Sequence, residues 1–242
     1  MILYVEGSAG LSGDMLLSGF LDLGLPLVKL QGVLEKLGLS QVKIQRERIH
    51  REGIHAARVS FKERPRPPFR RAGDLIRFVR SSALEDSVKR LVVRAFTVLA
   101  HAEGAAHGRP WGMIHFHQLA QVDTLVDLAG LCTGLVHFNI DAVYTSPIPL
   151  GSRFQDSKGK WQAKPGPATQ WLLRRFQTVR LNNSFEWTTP TGAVFLCAFA
   201  SPKPAPPFEV YGIGHGVGHH RPPKGSSVLR LLLGCSCGLH LT

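Results

Sequence analysis

The sequence has few cysteines and few acidic residues, and it contains no long hydrophobic run. Four cysteines in 242 residues are too few for a disulfide framework, which favours a reducing, cytoplasmic location. No apolar run approaches the roughly 18 residues that a membrane helix needs, so a membrane-spanning protein is excluded. The first residues, 1–6, contain neither a basic leader nor a cleavage site, so secretion is not expected.

Acidic residues are outnumbered by basic ones, 17 against 29, and the formal charge is +12. A charge of this size attracts nucleic acid, anionic lipid or phosphate-bearing small molecules, although an ordinary basic surface explains it equally well. The basic stretch 64–71 has four arginines but a single aromatic residue, Phe69. We therefore interpret it as a solvated linker rather than a nucleic-acid surface.

Apolar periodicity predicts an α/β fold of the mixed α+β kind, a small mixed sheet with several packed helices. Strands are expected at 2–5, 142–145, 208–213 and 226–233, and a β-hairpin is expected across 42–61. Helices are expected at 15–23, 27–37, 74–81, 84–107 and 122–137. Two short helices are expected to begin at Pro167 and Pro190. The chain divides into an N-terminal strand–helix–hairpin subdomain (1–63), a basic Pro/Arg linker (64–72), and a helical and mixed α/β subdomain (73–242).

The strongest chemical constellation combines two histidines with two aspartates. His115 and His117 project to one face if their segment is extended, and Asp123 and Asp127 share a face if theirs is a helix. Imidazole and carboxylate together suit nickel, zinc, iron or manganese. The alternative is that the histidines form local hydrogen bonds and the aspartates pair with arginine or lysine.

Three other segments carry weaker signals. Ser12 is a candidate N-cap, and Asp14 lies in the first turn that follows. The stretch 212–220 has glycine at alternate positions and three histidines. It is either a backbone cradle for phosphate or metal, or a flexible loop that joins two edge strands. The hydroxyl-rich turn 188–192 reads as ordinary helix capping.

Seven motifs, in their order along the chain, resemble the LarC-type nickel insertion proteins. They are Gly-Leu-Ser-Gly-Asp-Met (10–15), His-Phe-His (115–117), Val-Asp-Thr-Leu-Val-Asp (122–127), Ser-Pro-Ile-Pro-Leu-Gly (146–151), Pro-Gly-Pro-Ala-Thr (165–169), Thr-Thr-Pro-Thr-Gly (188–192) and Val-Leu-Arg (228–230). They span essentially the whole chain, and their combination is far more specific than any single motif.

The resemblance implies a nickel chelatase of the lyase class that makes the nickel-pincer nucleotide cofactor of lactate racemase. In that reaction Ni²⁺ enters pyridinium-3,5-bisthiocarboxylic acid mononucleotide by cyclometallation, which exchanges a C–H bond for a C–Ni bond. CTP is consumed, and Mn²⁺ or Mg²⁺ is required. The presumed metal and catalytic centre is His115, His117, Asp123 and Asp127; the presumed contacts to a nucleotide or phosphate are Ser12, Asp14, Thr188, Thr189 and Thr191.

The length and some motif positions depart from the family pattern. Full-size members continue into a C-terminal domain associated with CTP and divalent metal, so we expect this chain to be the N-terminal half and to work with a separate C-terminal half. Gln118 stands where the family usually has glutamate. These departures motivate an alternative, a non-catalytic nickel-binding accessory protein. The charge alone motivates a nucleic-acid-binding protein, and the oligomeric state stays open.

Overall fold

The computed structural model describes residues 1–62, 71–114, 122–152, 164–222 and 226–236, and the backbone of 154–155 and 161–162. Its strands are β1 (Ile2–Glu6), β2 (Lys43–Arg51), β3 (Ile54–Lys62), β4 (Ala142–Thr145), β5 (Ile148–Leu150), β6 (Phe154–Gln155), β7 (Trp161–Gln162), β8 (Thr178–Arg180), β9 (Phe208–Val217) and β10 (Val228–Ser236). Its helices are α1 (Gly13–Asp22), α2 (Leu27–Lys36), α3 (Ala72–Ser81), α4 (Asp86–His107), α5 (Val122–His137), α6 (Pro167–Leu173) and α7 (Pro190–Phe199), with a 3-10 turn at Trp111–Met113.

Six of the strands form one mixed sheet in the order β2-β3-β9-β10-β1-β4. β1 lies antiparallel to β10 on one side and parallel to β4 on the other. β9 lies antiparallel to β10 and parallel to β3, where Ala57 is opposite Gly216. The predicted mixed α/β class is therefore confirmed.

The β2–β3 hairpin has the tight turn that the sequence predicts at 51–53. Its two central residues, Glu52 and Gly53, both have positive φ, 56° and 76°. Positive φ at both positions is typical of a type I′ turn, whose twist matches that of the flanking strands. The turn holds Arg51 at the end of β2 directly opposite Ile54.

Helix α1 is the central helix of the core, and it packs on the glycine face of β9. A Cβ at Gly214 would overlap the carbonyl oxygen of Gly19, and one at Gly216 would overlap that of Met15. Only glycine allows the helix backbone to approach the strand this closely. The flexible-loop interpretation of 212–220 is wrong as far as Val217, because this part is a strand inside the sheet, while the phosphate or metal cradle stays a prediction.

The opposite side of α1 packs against the helices. Leu16, Leu17, Phe20 and Leu21 are fully buried in the core. A Cβ at Gly134 of α5 would lie 2.8 Å from the ring of Phe20, so the two helices are also in close contact. With β9 on one side and α5 on the other, α1 holds its amino-terminal residues in one defined place.

The structure also bears on the predicted linker. Ala72 begins α3 and is fully buried, so this residue belongs to a helix and not to the linker. Residues 63–70 lie outside the described part of the chain. Strands from before and after the linker share the six-stranded sheet, while the division into subdomains stays a prediction. No helix in the described residues is long and apolar enough to cross a membrane.

Candidate functional site

A cavity of about 600 Å³ opens at the amino-terminal end of α1. Its walls come from residues 9–15 (except 11 and 13), Lys164, residues 183–187, Thr189, residues 218–222 and Ser227. These segments are distant in sequence, and they meet because α1 lies on β9 and because the turn before α1 pairs with the turn before α7. The main-chain N–H of Leu11 donates to the carbonyl of Trp187 at 2.7 Å, and that of Thr189 donates back to the carbonyl of Leu11 at 2.9 Å.

Ser12 and Asp14 begin α1, as the sequence predicts. Ser12 is extended and is the N-cap; its Oγ accepts from the main-chain N–H of Met15 at 3.4 Å and donates to Oδ1 of Asp14. Oδ1 of Asp14 also accepts from the N–H of Met15 at 2.9 Å. One carboxylate oxygen is therefore occupied within the first turn, where the helix dipole stabilises a negative charge.

The second oxygen of Asp14 binds His219, which follows β9. Oδ2 accepts from the main-chain N–H of His219 at 3.0 Å and lies 2.8 Å from its Nδ1. Because a carboxylate only accepts, Nδ1 carries the proton of this bond, and Nε2 is the ring nitrogen that Asp14 does not contact. Both side chains line the cavity, and the Asp14 side chain is only 20% exposed.

The hydrogen bonds around Asp14 decide its charge state. Burial raises the pKa of its carboxyl, but the bonds from His219 and Ser12 and the charge of His219 together outweigh burial and lower the pKa below the usual value. Asp14 is therefore ionised at neutral pH, and it orients His219 as carboxylates orient histidine in many acid–base sites.

A second aspartate–histidine pair lies at the other end of α1. Oδ2 of Asp22 accepts from the main-chain N–H of His215 at 2.9 Å, but it lies 3.7 Å from Nδ1 of that histidine. Oδ1 of Asp22 accepts from Arg46 at 3.3 Å. Within the described residues, neither Asp22 nor His215 lines the 600 Å³ cavity.

The three predicted threonines occupy different positions around the cavity. Thr189 lines it and caps α7, with Oγ1 accepting from the N–H of Gly192 at 3.4 Å. Thr188 is buried, and its hydroxyl donates to the carbonyl of Pro149 at 2.9 Å. Thr191 packs beside Gly13, where its Cγ2 would lie 2.7 Å from a Cβ on that glycine. Of the three, Thr189 is the one that reaches the cavity wall.

The predicted histidine–aspartate centre is described only in its helical half. Asp123 and Asp127 lie in the first turns of α5, as predicted, and Asp127 is buried with its carboxylate against Gly13. His115 and His117 lie outside the described residues. Within the described part of the chain, no group of three or more His, Cys, Asp or Glu side chains is placed to hold a metal ion. The centre therefore stays a prediction.

Several wall residues were not assigned to a site from the sequence. The alternating glycines indicated a possible ligand site at 212–220, but only the end of that stretch, Gly218 to His220, lines the cavity. Lys164 and Arg221 add positive charge to the wall. Phe185 and Trp187 add an aromatic face, with ring centroids 5.2 Å apart at an interplanar angle of 77°. Besides Ser12, Asp14 and Thr189, the histidines of 212–220 were a sequence signal that pointed to this cavity.

These features define an α/β protein with an aspartate–histidine pair, an aromatic face and cationic side chains around one cavity. Such walls suit an anionic small molecule with an aromatic ring. The nickel insertion protein family model matches residues 3–240, and the chain belongs to this family.

Similarity to individual relatives covers almost the whole chain. A putative nickel insertion protein of Geobacter metallireducens is 37% identical over 236 residues, which is 96% of this chain and 60% of the relative. One from Syntrophobacter fumaroxidans is 37% identical over 234 residues, with the same coverage. The pyridinium-3,5-bisthiocarboxylic acid mononucleotide nickel insertion protein of Akkermansia muciniphila is 32% identical over 241 residues, 96% of this chain and 59% of that protein.

The chain thus spans about 60% of the length of these relatives. No solved structure matches it significantly.

Proposed function

We propose that this chain inserts nickel into pyridinium-3,5-bisthiocarboxylic acid mononucleotide, and that the reaction takes place in the cavity at the start of α1. Family membership supports the metal, and the name of the Akkermansia muciniphila relative supports the organic substrate. The observation that carries the proposal is the Asp14–His219 pair on the cavity wall, because it supplies the base that a cyclometallation needs.

The cavity walls fit the parts of this substrate. A pyridinium ring is a flat cation, and the aromatic pair Phe185–Trp187 offers π faces that attract it. Cationic side chains such as Arg221 and Lys164 attract the thiocarboxylate and phosphate groups. The net charge of +12 favours the approach of an anionic nucleotide to the protein as a whole.

The proton balance gives His219 a specific role. When nickel enters the ring, a C–H bond breaks, its electron pair forms the C–Ni bond, and one proton must leave. Nε2 of His219 accepts that proton, and the ionised Asp14 stabilises the imidazolium that results. Nickel stays Ni²⁺ throughout, so the step needs no redox partner.

The incoming nickel is a substrate and needs ligands that release it. In this proposal His115, His117, Asp123 and Asp127 hold the ion before it passes to the sulfur atoms of the nucleotide. Imidazole and carboxylate are suitable because they bind nickel less tightly than thiolate sulfur does. The position of Asp127 against Gly13, beside Ser12 and Asp14 of the cavity wall, supports this route.

The remaining features of the reaction belong to the whole protein. The proposal includes consumption of CTP with Mn²⁺ or Mg²⁺, action together with a C-terminal half, a cytoplasmic setting, and supply of the product to lactate racemase. Relatives that are longer than the chain by about two thirds have room for a further domain with these roles.

Substitution of the two histidines tests the proposal. The chain is incubated with the mononucleotide, Ni²⁺, CTP, Mg²⁺ and the C-terminal part of a relative, and nickel-bearing product is measured by mass spectrometry. His219→Gln is expected to lower the rate by about 10²–10⁴-fold, because it removes the general base. His215→Gln, on β9 and outside the cavity, is the matched control and should stay within about threefold of the wild type.

Two outcomes would contradict the proposal. Equal rates for His219→Gln and His215→Gln would remove His219 from the reaction. If the wild type binds nickel but forms no product, even with the C-terminal part and CTP supplied, the accessory nickel-binding protein is the correct interpretation.

A further inference from the structure

Arg51 is a buried arginine, and no carboxylate of the described residues bonds to its guanidinium. The residue is only 7% exposed, at the end of β2. Its Nη1 donates to Oγ of Ser227 at 3.4 Å, and its Nε has no hydrogen-bond partner among the described residues. A guanidinium is always charged, and burying it costs free energy unless anions or acceptors surround it.

The nearby charges leave this corner of the molecule positive. Burial lowers the pKa of Arg51, and the charges of Arg221 and Arg58 lower it further, while Glu52 opposes them. Arg58 already binds Glu47 at 2.6 Å. Oε1 of Glu52 is occupied by the N–H and the hydroxyl of Ser227, both at 2.9 Å.

This corner opens onto the cavity at the start of α1. Ser227, His220 and Arg221 all line the cavity. Arg51 is not a lining residue, and it is connected to the wall through its hydrogen bond to Ser227. Arg221 is two residues from His219, so their Cα atoms are at most about 7 Å apart. A ligand whose ring meets His219 would therefore extend another group toward Arg221 over roughly the length of a ribose.

We propose that Arg51, Arg221, His220 and Ser227 form a subsite for a phosphate monoester, and that it takes the 5′-phosphate of a pyridinium mononucleotide. The guanidinium of Arg221 and the imidazole of His220 are donors on the wall that phosphate oxygens accept in charge-assisted hydrogen bonds. Arg51 adds its positive charge from behind Ser227, whose own hydroxyl proton is donated to Glu52. The assignment of the mononucleotide rests on the proposed function. The subsite itself rests on the buried, incompletely bonded Arg51 and the cationic cavity wall.

Calorimetry without nickel tests the subsite directly. The probes are nicotinate mononucleotide, its riboside without phosphate, CTP and inorganic phosphate. Arg221→Gln is expected to weaken mononucleotide binding by about tenfold or more, because a charge-assisted bond to phosphate is lost. Riboside binding should change by less than about twofold. Arg48→Gln removes the same charge from an exposed site on β2 and is the matched control.

Arg51→Gln should weaken mononucleotide binding in the same way, and circular dichroism checks that this buried substitution leaves the fold intact. Equal effects of Arg221→Gln and Arg48→Gln would overturn the subsite, as would an equal loss of riboside binding. If CTP rather than the mononucleotide depends on Arg221, the assigned ligand is wrong.

The two proposals fail separately. A wild type that binds the mononucleotide through Arg221 but inserts no nickel contradicts only the proposed function. Normal insertion with phosphate-independent binding contradicts only the subsite.

Discussion

The two ends of α1 carry similar pairs of residues in different surroundings. At each end an aspartate of the helix accepts a hydrogen bond from the main-chain N–H of a histidine on or just after β9. The aspartates are almost equally exposed, 20% for Asp14 and 23% for Asp22. Their common origin is the close packing of α1 on the glycine face of β9, which brings helix carboxylates to the strand.

The difference lies in what each carboxylate does to its histidine. Asp14 is close enough to bind Nδ1 of His219, and its other oxygen is held by Ser12 and Met15. Asp22 is too far from Nδ1 of His215 for a hydrogen bond, and its other oxygen binds Arg46. The comparison teaches that an aspartate beside a histidine does not by itself orient the ring: the carboxylate must also come within hydrogen-bond distance of Nδ1, as Asp14 does and Asp22 does not.

The largest expected effect comes from breaking the packing that both pairs share. Gly216→Ala places a Cβ against the carbonyl of Met15 and 2.6 Å from the main-chain nitrogen of Gly19, and helix backbone cannot move aside cheaply. We expect a loss of about 3 kcal/mol in the free energy of unfolding, measured by urea denaturation. Gly32→Ala in α2 meets no atom within 4 Å and should instead gain about 0.5–1 kcal/mol. A cost for Gly216→Ala below about 1 kcal/mol would contradict the close packing.

A smaller effect separates the two aspartates. Asp14→Asn replaces an acceptor that four hydrogen bonds use, and we expect it to cost about 2 kcal/mol at pH 7. Asp22→Asn keeps an oxygen that can accept from the N–H of His215, so it should lower the free energy of unfolding by about 1 kcal/mol or less.

The pH dependence of the same variants sharpens the difference. The pKa of Asp14 is lowered by folding, so its stabilising contribution is fully present above the unfolded pKa of about 4 and is lost as the pH falls through the folded value. Urea unfolding at pH 7, 5, 4 and 3 should show the difference between wild type and Asp14→Asn shrinking only below about pH 4. A difference that is constant over this range would mean that Asp14 is not held ionised by its partners.

The smallest effect is expected at Arg46. Its ion pair with Asp22 has an arginine side chain that is 43% exposed, and such surface pairs contribute little. Arg46→Gln should lower the free energy of unfolding by about 0.5 kcal/mol or less, and this loss should become smaller still at high salt. Mononucleotide binding should not change. Thermal unfolding at two salt concentrations measures the first two effects. A loss above about 1 kcal/mol would show that the Asp22 end is more than a surface pair.

Local pattern predicted most of the helices and strands. Helix α5 was expected at 122–137 and has those bounds, and Ser12 caps α1 as expected. The error at 212–220 has a physical cause, since glycine is a poor strand former in isolation. Alternating glycine becomes favourable in a strand only when a helix backbone lies against it, as α1 does here.

The candidate site was predictable only in part. Asp14 was assigned for its position in a motif, but its partner His219 is 205 residues away, and no local signal links the two. Arg51 looked like an ordinary turn residue, because its burial depends on Ser227, which is 176 residues away. The metal centre at His115 and His117 stays a prediction.

The sequence by itself determined the elements, the positive charge and the family, because periodicity, composition and short motifs are local properties. Only the tertiary structure decided which charged side chains meet. That outcome depends on α1 lying against Gly214 and Gly216 and on β3 pairing with β9, contacts between segments far apart in the chain. The same contacts place the Asp14–His219 pair and the cationic corner at Arg51 beside one cavity.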